Sequence, residues 1–143
     1  MIKKVIDTDD IKKCDYYLNE LIQDEMQYDD SLNENSKVSD YYINNISDNN
    51  ILLGYYIDDV LVAYTYIKIN NDVCFIDALY VEEEYRRRGI AKELLNEVFS
   101  ICKDENIKYI DINVMAKNEN AKHLYSLFDF EDFRITMRKE LKK

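Results

Sequence analysis

The sequence predicts an α+β fold, a mixed α/β sandwich in which one domain spans residues 1–143. A length of 143 residues suits one domain, and 47% hydrophobic residues are enough for a sizeable core. The spacing of the apolar residues changes along the chain, from a helical period to strand alternation and back. Two glycines and no proline exclude collagen-like and linker classes, and they leave the turns to Asn and Asp.

The first fifty residues predict a short strand followed by two helices. The strand covers residues 2–6, and Thr8 or Asp9 can cap the helix that follows. Its apolar residues recur at helical spacing, as Ile11, Cys14, Leu18, Leu21, Ile22 and Met26. The end of this helix and the next loop are acidic, with Asp24, Glu25, Asp29, Asp30 and Glu34. A weaker helix is predicted over residues 38–46.

The middle of the chain predicts three successive antiparallel strands. Residues 51–57 and 60–69 form a hairpin around the two-residue turn Asp58-Asp59. Residues 70–72 turn the chain again into the strand Val73–Val81. Gly54 lies inside the first of these strands, where a glycine indicates a bulge or a close backbone contact.

The last third predicts a helix, a parallel strand, a short helix and a closing strand. The first helix begins at Ile90, with an apolar stripe of Leu94, Leu95, Val98, Phe99 and Cys102. A crossover through this helix places the strand over residues 109–115 parallel to Val73–Val81. The short helix carries Ala121, Leu124, Tyr125 and Phe128 on one face, and residues 133–141 form the last strand.

Charge and cysteine content exclude several classes of function. The 19 basic and 29 acidic residues give a net charge of −10, which opposes binding to nucleic acids and to anionic membranes. Cys14, Cys74 and Cys102 form no CxxC pair, which predicts buried thiols in a reducing cytosol. The single histidine, His123, cannot supply a His-rich zinc site and is expected to be exposed, so no metal is predicted. We expect a soluble, cytoplasmic protein without a membrane span.

The most informative segment joins the strand ending at Val81 to the helix starting at Ile90. The free N–H groups at a helix N-terminus and the helix dipole form an anion site. Gly89 permits close approach of an anion, and Arg86-Arg87-Arg88 supplies positive charge in an acidic protein. A phosphate or pyrophosphate ligand is therefore expected. The alternative is a solvated basic run before an ordinary helix.

The segment resembles the pyrophosphate loop of the GNAT superfamily of acyl-CoA-dependent N-acetyltransferases. The family pattern, Gln/Arg-x-x-Gly-x-Gly/Ala, is matched by Arg86-Arg87-Arg88-Gly89-Ile90-Ala91, which follows the strand ending Leu79-Tyr80-Val81 after four residues. A second family element, Asn-x-x-Ala-x-x-Leu-Tyr followed by an aromatic residue, is matched by Asn118, Ala121, Leu124, Tyr125 and Phe128. The resemblance implies a central, mostly antiparallel sheet with one splayed parallel strand pair and helices on both faces. Dimerisation is common in the family, which leaves a homodimer open.

The resemblance also implies a binding site for acetyl-CoA as cosubstrate. Backbone amides of the loop would bind the pyrophosphate, namely those of Arg87, Arg88, Gly89, Ile90 and Ala91. Arg86 would shape the loop or reach a phosphate, and Lys92 could approach the 3′-phosphate. Pantetheine would pair with main-chain groups along Leu79, Tyr80 and Val81. Asn118 would contact pantetheine or, alternatively, only cap its helix.

The same resemblance implies roles in attack of an amine on a thioester. Tyr125 lies where relatives place a general acid for the leaving thiolate, although its spacing also suits a core aromatic residue. Asp77, assigned to one strand face with Phe75 and Leu79, is the first candidate base, and it could also be merely a solvated polar residue. Glu82 is the second candidate. Asp129 stands where relatives commonly have glycine, and we expect it to adopt the left-handed conformation that ends the helix.

The acidic residues predict a small cationic acceptor such as a polyamine or amino sugar. A protein lysine or N-terminal amine, and a non-catalytic acyl-CoA sensor, are the alternatives.

Overall fold

The structure is a computed structural model that describes residues 1–141. It divides into two compact units, Met1–Asn113 and Val114–Lys143, which are described separately. The first unit contains one five-stranded sheet with strand order β1-β2-β3-β4-β5. These strands are β1 (Ile2–Lys4), β2 (Asn50–Ile57), β3 (Val60–Asn70), β4 (Val73–Val81) and β5 (Tyr109–Ile112). The first four strands pair antiparallel, and β4 and β5 pair in parallel, as the sequence predicts.

Helix α1 (Thr8–Glu25) has its N-cap one residue before the first of the predicted caps. Its N-cap is Asp7, whose carboxylate accepts hydrogen bonds from the backbone N–H groups of Asp9 (3.1 Å) and Asp10 (3.3 Å). The prediction that Thr8 or Asp9 caps the helix is therefore wrong. An aspartate is a better N-cap than a threonine, and Asp7 is placed to satisfy two of the free amides.

Helix α2 (Tyr41–Asn45) is shorter than predicted and is capped by another helix. Asp40 precedes it in a left-handed conformation (φ +53°) and makes no side-chain capping bond. Instead, the buried carboxylate of Asp15 in α1 accepts a hydrogen bond of 3.1 Å from the N–H of Tyr42. Burial raises the pKa of Asp15, although backbone hydrogen bonds from Tyr42, Tyr41 and Asp40 oppose that shift.

The core lies on both faces of the sheet because neighbouring strand residues point in opposite directions. One face packs against α1 and α2 and is rich in tyrosine, with Tyr17, Tyr42, Tyr64, Tyr66 and Tyr80 in one cluster. The opposite face packs against α3 (Ile90–Asp104), whose Ile90 and Leu94 contact Val62 and Ala63 of β3. Cys14, Cys74 and Cys102 are free and buried, as predicted.

The turns use Asn and Asp in place of glycine. Asp58 and Asp59, both with positive φ (+50° and +66°), join β2 to β3 as predicted, and Asn71 (φ +55°) lies in the next turn. Gly54 is not at a bulge, since the register shift in β2 falls between Tyr55 and Tyr56. A Cβ at Gly54 would lie 2.5 Å from Leu61 Cδ1. Neighbouring side chains, and not a close backbone contact, therefore leave no room for a Cβ at this position.

The second unit contains helix α4 (Glu119–Ser126) and no strand among its described residues. The predicted last strand over residues 133–141 is therefore wrong. Phe133, Ile135 and Met137 do alternate as in a strand, but they are exposed. Alternation favours a strand only where another strand completes the hydrogen-bond ladder, and none pairs with this segment within residues 1–141. Strand β5 also ends at Ile112, three residues before the predicted end.

Candidate active site

The loop between β4 and α3 has the backbone geometry of an anion site. Gly89 is the N-cap of α3 with φ +81°, and its carbonyl accepts the first helical hydrogen bond, from the N–H of Glu93 (3.0 Å). The helix geometry leaves the N–H groups of its first residues without intrahelical acceptors. Apart from its two chain neighbours, no described heavy atom lies within 4 Å of a Cβ placed at Gly89, so the position of that Cβ is open.

The three arginines of this loop differ in what they contact. Arg86 Nε donates to the carbonyl of Val81 (2.8 Å), and its guanidinium lies 5.3 Å from the Tyr80 ring centre. Arg88 donates to the carbonyl of Glu84 (3.3 Å) and lies over the ring of Tyr85. Both therefore hold the shape of the loop.

Arg87 lies between these two and differs from them in backbone and in side chain. It adopts φ +64°, a left-handed conformation that is unusual for a non-glycine residue. Its exposed side chain has no hydrogen bond, ion pair or ring contact within residues 1–141. Backbone strain of this kind persists where the surrounding structure enforces it, and functional loops are where it concentrates. The guanidinium of Arg87 is thus available to an anion at the start of α3.

Strand β4 has an unpaired edge immediately before the loop. Its parallel pairing with β5 ends at the pair Ile76 and Ile112, whereas β4 continues to Val81. The N–H of Glu82 bonds the carbonyl of Val62 in β3 (3.0 Å). The alternation of an antiparallel ladder then directs the main-chain groups of Leu79 and Val81 away from β3, toward the side where β5 has ended. Tyr80 instead buries its ring against Tyr17.

Asp77 is the extra residue of a bulge in β4. Tyr66 pairs with Ala78, and Ile67 pairs with Ile76, so Asp77 has no partner in β3. The bulge reverses the alternation of side chains between the two faces of the sheet beyond this point. Leu79 packs on the α3 side, and Ala78 packs on the α1 side. The assignment of Asp77 and Leu79 to one face is therefore wrong. The carboxylate of Asp77 forms an ion pair with Lys68 (3.8 Å) and lies on the side of α1 and α2.

Acidic residues surround Asp77 on this face. Partial burial raises the pKa of Glu25 at the end of α1, and the charges of Asp29, Asp77 and Asp24 raise it further. Burial is also the main cause that raises the pKa of Tyr66 to about 12, and Asp77 adds to that shift. The acidic end of the first helix, noted in the sequence, is thus brought close to the first candidate base.

Glu82, the second candidate base, belongs to a different set of contacts. It forms an ion pair with Lys13 of α1 (3.9 Å) and interacts with the hydroxyl of Tyr17. Lys13 and Tyr17 both donate to the carbonyl of Leu61 (2.5 and 3.0 Å). At about 3.3 Å per strand residue, Glu82 lies roughly 15 Å along the chain from Asp77. The two carboxylates therefore cannot contact the same reacting atom.

The sequence did not single out Lys13, Tyr17 or Lys68 as parts of these contacts. Lys13 and Tyr17 are four residues apart and therefore share one face of α1. This spacing indicates a shared partner only once the structure shows that Glu82 lies opposite that face. Lys68 is a single basic residue near the end of an apolar strand. Its pairing with Asp77 depends on the register and the bulge, and no local pattern reveals either.

The second unit carries the other predicted site residues. Asn118 caps α4, since its Oδ1 accepts a hydrogen bond of 3.2 Å from the N–H of Ala121. Asp129 adopts φ +65°, as expected, and the N–H of Phe130 bonds the carbonyl of Tyr125 (3.1 Å). Burial raises the pKa of Tyr125 to about 12, so its phenol is protonated at neutral pH. His123 is exposed, as predicted.

The described residues contain neither a metal-binding cluster nor a membrane-spanning helix. No group of three or more His, Cys, Asp or Glu residues within residues 1–141 could hold a metal ion. None of the helices in that part of the chain is long and apolar enough to cross a membrane.

Comparisons with known proteins support the fold. A crystal structure of a tetramutant protein from Bacillus halodurans superimposes with a TM-score of 0.84, at 17% identity, over 99% of both chains. An aminoglycoside N-acetyltransferase in complex with CoA gives a TM-score of 0.70, at 15% identity, over 98% of both chains. At these identities, the likeness shows a shared fold.

A curated relative and a family model add evidence from sequence. N-alpha-acetyltransferase 50 of Danio rerio is 33% identical over 81 residues, which are 53% of this chain and 48% of that protein. The chain thus matches about half the length of this curated relative. The model of the acetyltransferase (GNAT) family matches residues 14–130, which include parts of both units. With the fold and the arginine loop, this match shows that the chain belongs to the GNAT family of acyl-CoA-dependent N-acetyltransferases.

Proposed function

We propose that this protein transfers the acetyl group of acetyl-CoA to a primary amine of a small cationic acceptor, by direct attack within a ternary complex. The observation that carries the proposal is the junction at Gly89. Within residues 1–141, this junction combines a helix N-terminus without a side-chain cap, open space at Gly89 and an arginine side chain without a partner, and it follows a strand whose outer edge is unpaired. Such a junction suits a ligand that has a pyrophosphate at one end and amide groups along its length.

Acetyl-CoA supplies the acetyl thioester, and residues of the first unit would bind it. The amides from Arg87 to Ala91 would donate hydrogen bonds to the pyrophosphate, and the guanidinium of Arg87 would add a charge-assisted bond. The main-chain groups of Leu79 and Val81 would pair with the pantetheine amides. The carbonyl of Val81 already accepts from Arg86, so it is less available to a pantetheine N–H. The N–H of Leu79 would donate to the thioester carbonyl. Lys92, exposed at the start of α3, would lie toward the 3′-phosphate.

The reaction forms a C–N bond between the acceptor amine and the acetyl carbon, and it breaks the C–S bond. The attacking amine must be neutral, so its ammonium first gives a proton to a base. We assign that role to Asp77, through a water molecule, because within residues 1–141 Asp77 has one ion pair, with Lys68, whereas Glu82 pairs with Lys13 and also interacts with the hydroxyl of Tyr17. Tyr125, which a pKa of about 12 keeps protonated, would give its proton to the departing thiolate. The acceptor nitrogen, which carries one excess proton after the attack, would then lose that proton and restore the Tyr125 phenol. Asn118 would support that helix as its N-cap.

The charge around Asp77 supports a cationic acceptor. Asp77 and Glu25 lie on one face with Asp24 and Asp29 nearby, and opposite charges raise the local concentration of a cation. The CoA-bound structural relative is an aminoglycoside N-acetyltransferase, and aminoglycosides are small cationic amines.

The test supplies the purified full chain with acetyl-CoA and an amine panel, and it measures free CoA thiol. The panel holds spermidine, an aminoglycoside and a peptide with a free N-terminus, with fully acetylated spermidine as the matched blank. We expect the highest kcat/KM with the unblocked polycations. Equal release with every acceptor and with the blank would refute the proposal.

Acetylation of a protein N-terminus is the second candidate, favoured by the sequence match to N-alpha-acetyltransferase 50. If the peptide has the highest kcat/KM in the same panel, this candidate replaces the first. A rise in melting temperature with CoA, but no thiol release with any amine, would instead indicate a non-catalytic acyl-CoA sensor.

A further inference from the structure

Lys68 lies beside the candidate base as an ammonium group supplied by the protein itself. It is on β3, where its backbone pairs with Phe75, and its Nζ is 3.8 Å from Asp77 Oδ2. The Asp77 side chain reaches this position because the bulge turns it toward the α1 side. Lys68 also lies 5.8 Å from the ring centre of Tyr66.

The ion pair between Lys68 and Asp77 is loose. A distance of 3.8 Å exceeds the 2.7–2.9 Å of a charge-assisted hydrogen bond. The two side chains retain 41% and 32% of their exposed surface. Pairs of this kind contribute little, about a fivefold change in an equilibrium constant at most. A second cation can therefore replace Lys68 at Asp77 at little cost.

A second observation points to a polar ligand on this face. The hydroxyl of Tyr66 is buried without a hydrogen-bond partner within residues 1–141, and it is close enough to Asp77 for the carboxylate to raise its pKa. A buried hydroxyl without a partner is uncommon and requires an explanation. An amine at Asp77 would bring a polar group toward this hydroxyl.

We propose that Lys68 is a specificity-determining residue that competes with the cationic acceptor for Asp77. This inference rests on the proposed function. In the resting protein the Lys68 ammonium neutralises Asp77, and an acceptor must displace it before its own amine reaches the carboxylate. Polycations gain most from the exchange, because their further charges remain attracted to Glu25 and its acidic neighbours. Monoamines gain least, since they only exchange one ammonium for another.

The test compares three variants that keep the fold. Lys68→Met removes the competing charge, Lys68→Arg keeps it, and Lys108→Met is the matched control. Lys108 forms an ion pair of almost equal length with Asp72 (3.9 Å), in contact with the turn between β3 and β4. Both methionine variants change the net charge equally, so any difference between them is local.

We expect Lys68→Met to lower the KM for spermidine about three- to fivefold and to leave the KM for acetyl-CoA unchanged. The effect should shrink as salt is raised, because partly exposed charges are screened. Lys68→Arg and Lys108→Met should match the wild-type chain. An equal change in Lys108→Met, or a higher KM in Lys68→Met, would overturn the inference. The second outcome would mean that Lys68 positions Asp77 and does not compete.

A binding measurement separates this inference from the proposed function. Calorimetry with spermidine and CoA reports acceptor affinity without turnover. Tighter spermidine binding by Lys68→Met than by the wild-type chain supports the role of Lys68, even if no acetyl transfer occurs and the proposed function fails. If neither protein binds spermidine or the aminoglycoside of the panel at millimolar concentration, both proposals are refuted. If the wild-type chain acetylates spermidine and Lys68→Met binds it no more tightly, only the role of Lys68 is refuted.

Discussion

Replacing Gly89 by alanine should separate the stability of the loop from its ligand binding. Gly89 has φ +81°, where a Cβ costs about 1–2 kcal/mol for an L-residue. The alanine also restricts the unfolded chain, which returns about 0.5 kcal/mol. No protein atom lies within 4 Å of the new Cβ, so steric overlap adds nothing to the cost. We expect a net loss of about 1 kcal/mol and a fall in Tm of about 3 °C.

The effect of Gly89→Ala on CoA should be much larger than its effect on stability. The methyl group would occupy the space that is open at Gly89 and would hold away a pyrophosphate bound there. Loss of one charge-assisted hydrogen bond weakens binding about 10- to 100-fold. Isothermal calorimetry with CoA measures this change directly, and circular dichroism and the Tm verify the fold.

The matched control is Asn106→Ala at the other end of α3. Asn106 also has a positive φ (+58°), a conformation that asparagine tolerates better than alanine does, so Asn106→Ala strains the backbone without touching the loop. We expect this variant to lose some stability and to bind CoA as the wild-type chain does. If folded Gly89→Ala binds CoA with wild-type affinity, the pyrophosphate does not lie against Gly89 and the assignment of the loop fails.

Three further substitutions test other parts of the structure. Tyr125→Phe should lower kcat about 100-fold with unchanged CoA affinity, and an unchanged kcat would make Tyr125 a packing residue. Because its pKa is about 12, the wild-type kcat should show no loss from ionisation of Tyr125 up to about pH 10. Gly54→Ala should cost about 1–3 kcal/mol in urea unfolding, because its Cβ would overlap Leu61, while CoA affinity stays the same. The pKa of Asp15 is raised in the folded protein, so the native state keeps the Asp15 proton at pH values where the unfolded chain, with a pKa of about 3.9, has lost it. The stability of the wild-type chain therefore falls as the pH rises from the unfolded pKa through the folded pKa. Urea titrations from pH 3 to 7 should therefore show Asp15→Asn gaining on the wild-type chain, and parallel pH curves would contradict this.

Local patterns predicted the parts of the fold that depend on near neighbours. The hairpin turn at Asp58 and Asp59, the start of α3 at Ile90 and the left-handed Asp129 all match the structure. Each depends on a few consecutive residues whose conformational preferences agree with the tertiary structure. The predicted caps at Thr8 and Asp9 failed at the same scale, because Asp7 satisfies the same amides one residue earlier.

Sequence patterns that depend on residues far away in the chain were interpreted wrongly or were not recognised. Residues 133–141 alternate like a strand, yet they pair with no strand within the described residues. The role of Asp15 as the cap of α2 was not predicted, since its carboxylate and the N–H of Tyr42 that it accepts from are 27 residues apart. Strand alternation placed Asp77 on the face of Leu79, because a one-residue bulge leaves no mark in the sequence and reverses every later side chain.

The sequence by itself determined the junction at Gly89. A strand, an arginine run, a glycine and a helix are contiguous there, and helix dipoles and glycine geometry act over a few residues. The environment of Asp77 was decided only by the tertiary structure. The bulge turns its carboxylate toward α1, strand register brings Lys68 to 3.8 Å, and helix packing brings Glu25 near. Charges interact through space, so their partners are fixed by packing and register and not by their order in the chain.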